Sequence, residues 1–360
     1  MQLIQSIPTH GARAAVVFVH QGRRYLVVPQ LARDVPGQPA KITLGDSNLE
    51  AQVLVWSHGR FEPHGTLAMP GGEDAEYFRI GEREFLATAS LRTGSQPPYD
   101  LNCQSELYEI QDGHFVPFQT FATFAAKQWR YFEVGGRKFL GLAQGAVLEG
   151  SEPRHLARSV VYEWNGSAFV EFQQLESAWG YNFSAFEIDG HTYLAHADNI
   201  LPAQVYRWSG SRFEPYQALE GKTSRAFCHF HAEGQDWLAL ACLHDATVLL
   251  RWDGTRFVRQ QVLSDAGGRE FRWIEGAAGR PGRLVQVNFI LGTREQPIPP
   301  MLSVIYRFED GQLVKEHEFP TSGGTDAAVF EDSGEHLLVI SNSLSAEVRF
   351  ATDSHVYRLD

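Results

Sequence analysis

The sequence predicts an all-β fold, a seven-bladed β-propeller of four-stranded blades, from three observations. First, a unit of about 43 to 60 residues recurs seven times along the chain, and a repeat of this length is typical of propellers and solenoids. Second, each unit alternates short apolar strands with glycine-containing turns, and helical periodicity is weak throughout. Third, the last unit ends one strand short, and the first residues of the chain match that missing strand.

The clearest part of each unit is a pair of strands joined by a tight turn. Typical copies are SVVYEWNGSAFVEFQ from Ser159 and AQVYRWSGSRFEPYQ from Ala203. Several turns hold a residue pair that favours the positive φ of a two-residue hairpin. These pairs are Asn165-Gly166, Ser209-Gly210, Asp253-Gly254 and Asp310-Gly311. Each copy therefore predicts strand, turn and strand.

A second strand pair precedes each of these hairpins. Its first strand ends in an aromatic residue, namely Phe18, Phe78, Phe132, Phe186, Phe230, Trp273 and Phe330. A glycine turn follows, at Gly22, Gly81, Gly135, Gly190, Gly234, Gly279 and Gly334. The next strand is apolar on both faces, as in WLALAC, which is expected where a sheet is buried between neighbouring sheets. We name the four strands A to D in chain order.

The seventh unit predicts strands at 326–331, 336–341 and 355–359 and lacks a fourth. Residues 3–9 supply it, so the amino-terminal strand joins the last blade and closes the ring. This closure would remove an exposed sheet edge. We treat residues 1–360 as one domain, with predicted blades at 12–65, 72–121, 126–175, 180–219, 224–263, 268–319 and 324–360 together with 2–9.

The repeat resembles the EAR repeat, also called the EPTP repeat. The resemblance is carried by FEIDGHTYLAHADN at 186–199, VYRWSGSRFEPYQ at 205–217 and IQSIPTHGA at 4–12. It implies a seven-bladed propeller. The best known members are secreted and bind protein ectodomains, whereas this chain shows no signal peptide, no partner domain and few cysteines. We therefore do not infer a receptor-binding role for this chain from the resemblance.

Composition excludes several function classes. The formal charge is −12, from 43 acidic and 31 basic residues, and no basic run is present. Phosphate binding to nucleic acid or an anionic membrane needs such a run, so neither partner is expected. The three cysteines do not form a disulfide framework. With no signal peptide and no apolar stretch long enough to span a membrane, we expect an acidic cytoplasmic protein of unknown oligomeric state.

The loops predict which rim binds a partner. Long insertions between strands B and C occur at about 31–51, 91–104, 145–158, 291–302 and 344–353, and blades 4 and 5 have almost none. The B-to-C and D-to-A loops share one rim, and variable loops on a rigid scaffold commonly carry binding. We therefore expect a small molecule, peptide or protein at this rim, although a surface insertion can also be inert.

Polar residues of the inner strands predict a ligand site at the mouth of the axial channel. The ligand-binding candidates are Asp74, Gln128, Trp129, Tyr181, Asn182, Asp198, Arg269 and Asp326. An anionic or zwitterionic ligand would contact Arg130, Arg269 and Arg272. The same polar groups are equally compatible with buried hydrogen bonding in a water-filled channel, and the two aromatic residues with packing between blades.

No cofactor is predicted. In secreted members of the family, aspartates four residues before the A-strand aromatic hold a channel cation. Here only Asp74 and Asp326 are aspartates at that position, and Arg269 places a positive charge there. We therefore expect a channel cation only weakly. Cys228, Cys242 and His244 are weak zinc candidates, and the usual burial of cysteine favours packing over metal binding.

Two function hypotheses remain open. The first is a ligand- or protein-binding propeller that uses the loop-bearing rim and the channel mouth. The second is a cofactor-independent lyase, cyclase or hydrolase with acid and base groups among Glu76, Arg130, His229 and Arg272. In that enzyme His229 or His244 would be the base, with Asp74, Glu76 or Asp198 as partner. Propellers host both classes, so fold does not choose between them.

Overall fold

The computed structural model describes residues 1–145, 148–149, 152–153, 158–276 and 280–359. Across this part of the chain all regular structure is β, arranged as seven four-stranded antiparallel sheets. Residues 146–147, 150–151, 154–157 and 277–279 lie outside it, so the predicted insertion 145–158 is covered only in part and the turn residue Gly279 not at all.

The strands A to D of each blade follow one another in the chain and across the sheet. Blade 1 contains Val16–His20, Arg23–Val28, Glu50–Ser57 and Arg60–Ala68. Blade 2 contains Gly72–Ile80, Arg83–Ser90, Asn102–Gln111 and His114–Phe124. Blade 3 contains Ala126–Val134, Arg137–Gln144, Ser159–Trp164 and Phe169–Leu175. Blade 4 contains Gly180–Ile188, His191–Asp198, Gln204–Trp208 and Phe213–Ala218.

The remaining blades follow the same order, except that the last takes its D strand from the start of the chain. Blade 5 contains Ser224–Ala232, Gln235–Cys242, Thr247–Trp252 and Phe257–Ser264. Blade 6 contains Gly268–Ile274, Arg283–Asn288, Pro300–Glu309 and Gln312–Ser322. Blade 7 contains Gly324–Asp332, Glu335–Asn342, Ala351–Leu359 and Gln2–His10. Two short ribbons pair Leu148–Glu149 with Glu152–Pro153 and Leu291–Gly292 with Pro297–Ile298.

The chain groups into two compact units. Unit 1 contains Met1–Trp129, Gly292–Pro300 and Thr321–Asp360, and so includes blades 1, 2 and 7. Unit 2 contains Arg130–Leu291 and Met301–Pro320, with blades 4 and 5 and most of blades 3 and 6. Within each unit, every hydrophobic cluster is built from side chains of two successive blades. The apolar B strands lie inside these clusters, because both of their faces are covered.

Glutamine side chains tie the D strands of successive blades together. In each case the glutamine amide donates to a backbone carbonyl of the next D strand and accepts from the N–H of the same residue. The pairs are Gln5 with Phe61, Gln173 with Phe213, Gln217 with Phe257 and Gln261 with Leu313, at 2.7–2.9 Å. These D-strand glutamines therefore join neighbouring sheets.

Three of the four predicted two-residue turns are wrong. Asp310 and Gly311 do have positive φ, 51° and 71°. At Asn165 the turn instead has four residues, closed by the Asn165 N–H donating to the Ala168 carbonyl, and only the glycine has positive φ. The Asn165 side chain accepts from two following backbone N–H groups and stabilises this longer turn. Comparable turns begin at Ser209 and Asp253.

Candidate functional site

Several predicted channel residues bond to the backbone of the next A strand. Asp74 Oδ2 accepts from the Trp129 N–H at 3.0 Å, and Asp326 Oδ2 accepts from the Ala15 N–H at 2.8 Å. Asn182 Oδ1 accepts from the N–H of Phe227 at 3.2 Å. These acceptors satisfy backbone donors between neighbouring blades, which is the structural use that polar inner-strand residues often have.

The other predicted residues of blades 2 and 3 are also enclosed. Trp129 is fully buried, its Nε1–H donates to the Thr88 carbonyl at 2.8 Å, and its ring packs on Phe121. Gln128 is buried next to it. Glu76 is half-buried on the A strand of blade 2. The indole of Trp129 thus belongs to the packing of the sheet.

Asp198 holds the loops at the end of strand B in blade 4. Its Oδ2 accepts from Ser177 Oγ and from the N–H groups of Ala178 and Trp179, at 2.8–3.0 Å. Its Oδ1 accepts from the N–H groups of Ile200 and Leu201, at 2.8 and 2.9 Å. Only 1% of the residue is exposed. The carboxylate therefore fixes the D-to-A and B-to-C connections of this blade.

His196 makes the stability of unit 2 depend on pH. It is buried against Phe183, and burial lowers its pKa from 6.5 to about 4, although the nearby Asp198 charge opposes this. Below about pH 6.5 the unfolded chain binds a proton that the folded chain excludes. We expect unfolding in denaturant to become easier by about 2 to 3 kcal/mol between pH 7.5 and 4.5 through this group.

The matched variants isolate the contribution of His196. His196→Gln should flatten the pH profile by that amount, whereas His191→Gln, at an exposed position of the same strand, should leave it as in the wild type. Parallel pH profiles for wild type and His196→Gln would contradict the assignment.

The register of blade 6 differs from the prediction by one residue. Gly268 opens the A strand opposite the end of strand B, and the ring of Trp273 stacks on Phe230 at 4.1 Å. His229 holds the equivalent place in blade 5, one residue before that blade's aromatic. In blade 6, therefore, Ile274 and not Trp273 occupies the position that the A-strand aromatic has in the other blades. The sequence misleads here because the nearest aromatic residue is not the equivalent one.

With this register, Arg269 is no longer equivalent to the residues that were expected to face the axis. Glu270 and Arg272 take the positions expected to face the axis, and Arg269 becomes the second residue of its strand, at the bulge after Gly268. Tyr181 and Arg225 occupy the same bulge in blades 4 and 5. The three side chains therefore leave adjacent A strands at the same end.

We name Tyr181, Arg225 and Arg269 the arginine cluster. The Cζ atoms of Arg225 and Arg269 lie 4.0 and 5.3 Å from the centroid of the Tyr181 ring. Both arginines are more than nine-tenths buried. Sequence reasoning missed Arg225, although its position directly after the residue that opens the strand could have identified it. The cluster combines two fixed positive charges with an aromatic face.

Arg130 and Arg272, two of the predicted acid and base residues, both act on the thiol of Cys228. Burial raises the pKa of the Cys228 thiol to about 12, against the opposing effect of Arg272 and Arg130, so the thiol is protonated at neutral pH. Arg130 Nε donates to the Phe183 carbonyl at 3.3 Å. The thiol thus lacks the thiolate character of a nucleophile.

The predicted partner of His229 is wrong. Its Nε2 lies 3.0 Å from Asp236 Oδ1, and its ring stacks on Phe186. Burial lowers the pKa of His229, while Asp236 opposes the shift. Asp236 lies on the neighbouring strand, at the end of the sheet far from the D-to-A loops, where antiparallel pairing brings it opposite His231.

No three His, Cys, Asp or Glu side chains of the described residues are arranged to hold a metal ion. Burial raises the pKa of Cys242 to about 12, and burial together with Arg225 lowers the pKa of His244. Cys228, Cys242 and His244 thus provide one exposed imidazole and two protonated thiols. Within the described ranges there is also no helix that could cross a membrane.

A groove opens between blades 4 and 5, with a volume of about 570 Å³. One wall is the end of the blade 4 D strand and the connection after it, and the other is formed by strands C and D of blade 5. Apolar lining comes from Leu219, Val248 and Leu250, and charged lining from Glu220, Asp245, Arg256 and Arg259. We name it the interblade groove.

Comparison with known proteins identifies the repeat. The family model named EPTP domain matches residues 114–165, 168–209 and 212–253. A mouse protein, thrombospondin-type laminin G domain and EAR repeat-containing protein, is 33% identical over 98 residues, which cover 27% of this chain and 14% of that protein. Its human counterpart is 29% identical over 150 residues, 41% of this chain and 21% of that protein. Residues 114–253 of this chain are therefore similar to three consecutive EPTP repeats.

Each matched EPTP repeat straddles two blades. It begins at a D strand and ends after the C strand of the next blade, as 212–253 runs from Phe213–Ala218 to Thr247–Trp252. The strand Gln2–His10, which completes blade 7, corresponds to the D strand with which such a matched unit begins.

Solved structures confirm the seven-bladed propeller fold. BBS1N, solved in complex with ARL6DN, aligns with a TM-score of 0.58 and 12% identity over 100% of this chain and 96% of its own. Sqt1 of Saccharomyces cerevisiae aligns with a TM-score of 0.58 and 11% identity over 99% of both chains. At these identities the likeness concerns the fold alone. The matched stretches of the EPTP-repeat relatives are about a fifth of their length or less.

Proposed function

We propose that this protein is a binding protein that holds an extended segment of a protein partner in the interblade groove. The observation that carries the proposal is the groove itself, a concave site of about 570 Å³ in which Leu219, Val248 and Leu250 lie among charged side chains and the exposed lining is more polar than apolar. Concave sites lined by apolar groups with a few fixed charges are the usual form of a binding pocket.

The loops of blades 4 and 5 support this location. Strands B and C are joined by residues 199–203 in blade 4 and 243–246 in blade 5, whereas residues 29–49 join them in blade 1. Short connections leave the rim end of the groove open to a chain entering from solvent. Glu220 and Asp245 line that end, Arg256 comes from the C-to-D turn of blade 5, and Arg259 from its D strand. A segment with apolar side chains between charged residues would match this lining.

Protein binding has a precedent on the same fold, since BBS1N forms a complex with ARL6DN. The enzyme hypothesis based on Glu76, Arg130, His229 and Arg272 has no comparable support, because His229 is engaged by Asp236 and Phe186. It stays a prediction.

The proposal is tested by selecting peptides from a random phage-displayed library on the immobilised protein. Synthetic copies of enriched peptides should bind with saturable heats in calorimetry. Ala246→Arg places a long side chain in the groove and should weaken them at least tenfold. Ser211→Arg adds the same charge at the exposed C-to-D turn of blade 4 and should change nothing. Failure to enrich any peptide, or equal binding to Ala246→Arg, would refute the proposal.

A further inference from the structure

The apolar side chains of the interblade groove form only its floor. Leu219, Val248 and Leu250 belong to the hydrophobic cluster between blades 4 and 5 and are 5%, 6% and 6% exposed. Packing within the protein has therefore already removed most of their surface from water, and a bound segment gains little by covering the rest. Glu220 and Arg259, by contrast, are exposed side chains of the same groove. Charged groups therefore offer a bound segment more contact than apolar ones do.

The charges that line the groove are ordered along its length. Glu220 and Asp245 come from loops of the rim that carries the D-to-A and B-to-C connections. Arg256 comes from the C-to-D turn of blade 5, and Arg259 is the third residue of the D strand that follows. Both arginines therefore lie toward the opposite rim, so the carboxylates and the guanidinium groups occupy different ends of the groove.

Two of these four charges are already engaged within the protein. The Asp245 carboxylate accepts from a backbone N–H of the blade 4 to blade 5 connection at 2.6 Å, and Arg225 offsets part of its charge. Arg256 Nε lies 3.7 Å from a carboxylate oxygen of its own turn. Among the described residues, Glu220 and Arg259 make no ion pair. These two side chains are therefore the ones that a bound segment can pair with directly.

We infer that the groove selects an extended segment with a basic side chain at the Glu220 end and an acidic side chain at the Arg259 end. The inference rests on the proposed function, because it describes the segment that the groove holds. Exposed ion pairs of this kind add little to affinity, but they fix the register of a bound chain and exclude sequences with the wrong charges. The two charges are therefore expected to decide which segment binds.

The strand register sets the spacing of the two charges in the segment. Arg259 pairs with Leu250, which follows Ala246 at the rim by four residues, so at about 3.3 Å per residue the two ends are roughly 13 Å apart. In an extended segment this separation corresponds to side chains about four residues apart. An even spacing also places both side chains on the same face of the segment, toward the groove.

The test uses the peptides enriched from the phage-displayed library, and charge exchange locates each contact. Arg259→Glu should weaken their binding about fivefold. A peptide whose acidic residue is replaced by lysine should then bind this variant more tightly than it binds the wild type. Glu220→Lys should behave in the same way toward a peptide whose basic residue is replaced by glutamate. Arg212→Glu makes the same charge change at an exposed turn outside the lining and should leave affinity unchanged.

Two results would overturn the inference and leave the proposed function standing. In the first, peptides that lose binding to Ala246→Arg bind both charge-reversed variants as tightly as they bind Arg212→Glu. In the second, charge exchange in the peptide restores no affinity to either variant. Failure to enrich any peptide would instead refute the proposed function, and the inference with it.

Discussion

Removal of residues 1–9 should lower the melting temperature by about 10 °C, since several kcal/mol of stability depend on this strand. Gln2–His10 pairs along the length of Ala351–Leu359. Ile7 is 3% exposed, and its burial contributes about 1.5 to 3 kcal/mol. The two hydrogen bonds between Gln5 and Phe61 contribute about 1 to 3 kcal/mol more.

Thermal unfolding followed by circular dichroism measures this effect. Ile7→Asp should reproduce part of the loss from a single position, because it buries an unpaired charge. Leu3→Ser is the control, since Leu3 is 49% exposed and its replacement should change stability by less than about 0.5 kcal/mol. A truncated protein that melts at the wild-type temperature would show that the strand contributes nothing to unit 1.

Asp198→Ala should destabilise unit 2 by about 3 to 5 kcal/mol, measured by unfolding in denaturant. The substitution removes the 1%-exposed acceptor of four backbone N–H groups and the Ser177 hydroxyl, all of them in partly buried loops. Each buried donor left unpaired costs about 1 to 3 kcal/mol before the loops relax.

Asp253→Ala provides the comparison. Asp253 accepts from the N–H groups of Thr255 and Arg256 in a similar local arrangement, but on an exposed turn where water replaces the carboxylate. Its substitution should have little effect. If the two variants unfolded at the same denaturant concentration, the burial argument for Asp198 would be wrong, and its main role would have to lie in binding.

Part of the candidate site could be predicted from sequence, and part could not. Tyr181 and Arg269 were predicted as ligand-binding residues, and the structure places both beside Arg225. Their grouping was not predictable, because the A-strand bulge shifts each side chain relative to the repeat alignment. The interblade groove was not predicted either. It forms where two sheets meet, and no local sequence pattern indicates how much space lies between two sheets.

His229 illustrates the same limit at a single residue. Strand alternation correctly separated it from Cys228, but the identity of its partner depends on which residue of the next strand lies within reach. That residue is Asp236, which occurs only seven positions later, near the start of strand B. Sequence reasoning looked for a distant carboxylate because the site was expected at the other end of the sheet.

The sequence by itself determined the seven repeats, the four strands in each and the role of Gln2–His10 as the last D strand. It did so because strand periodicity, turn residues and the repeated unit are local properties, and seven copies reinforce one another. Only the tertiary structure decided the register of blade 6, the partner of His229 and the meeting of Arg225 and Arg269 at Tyr181. These features depend on β-bulges and on packing between strands. A shift of one residue in strand register changes both completely.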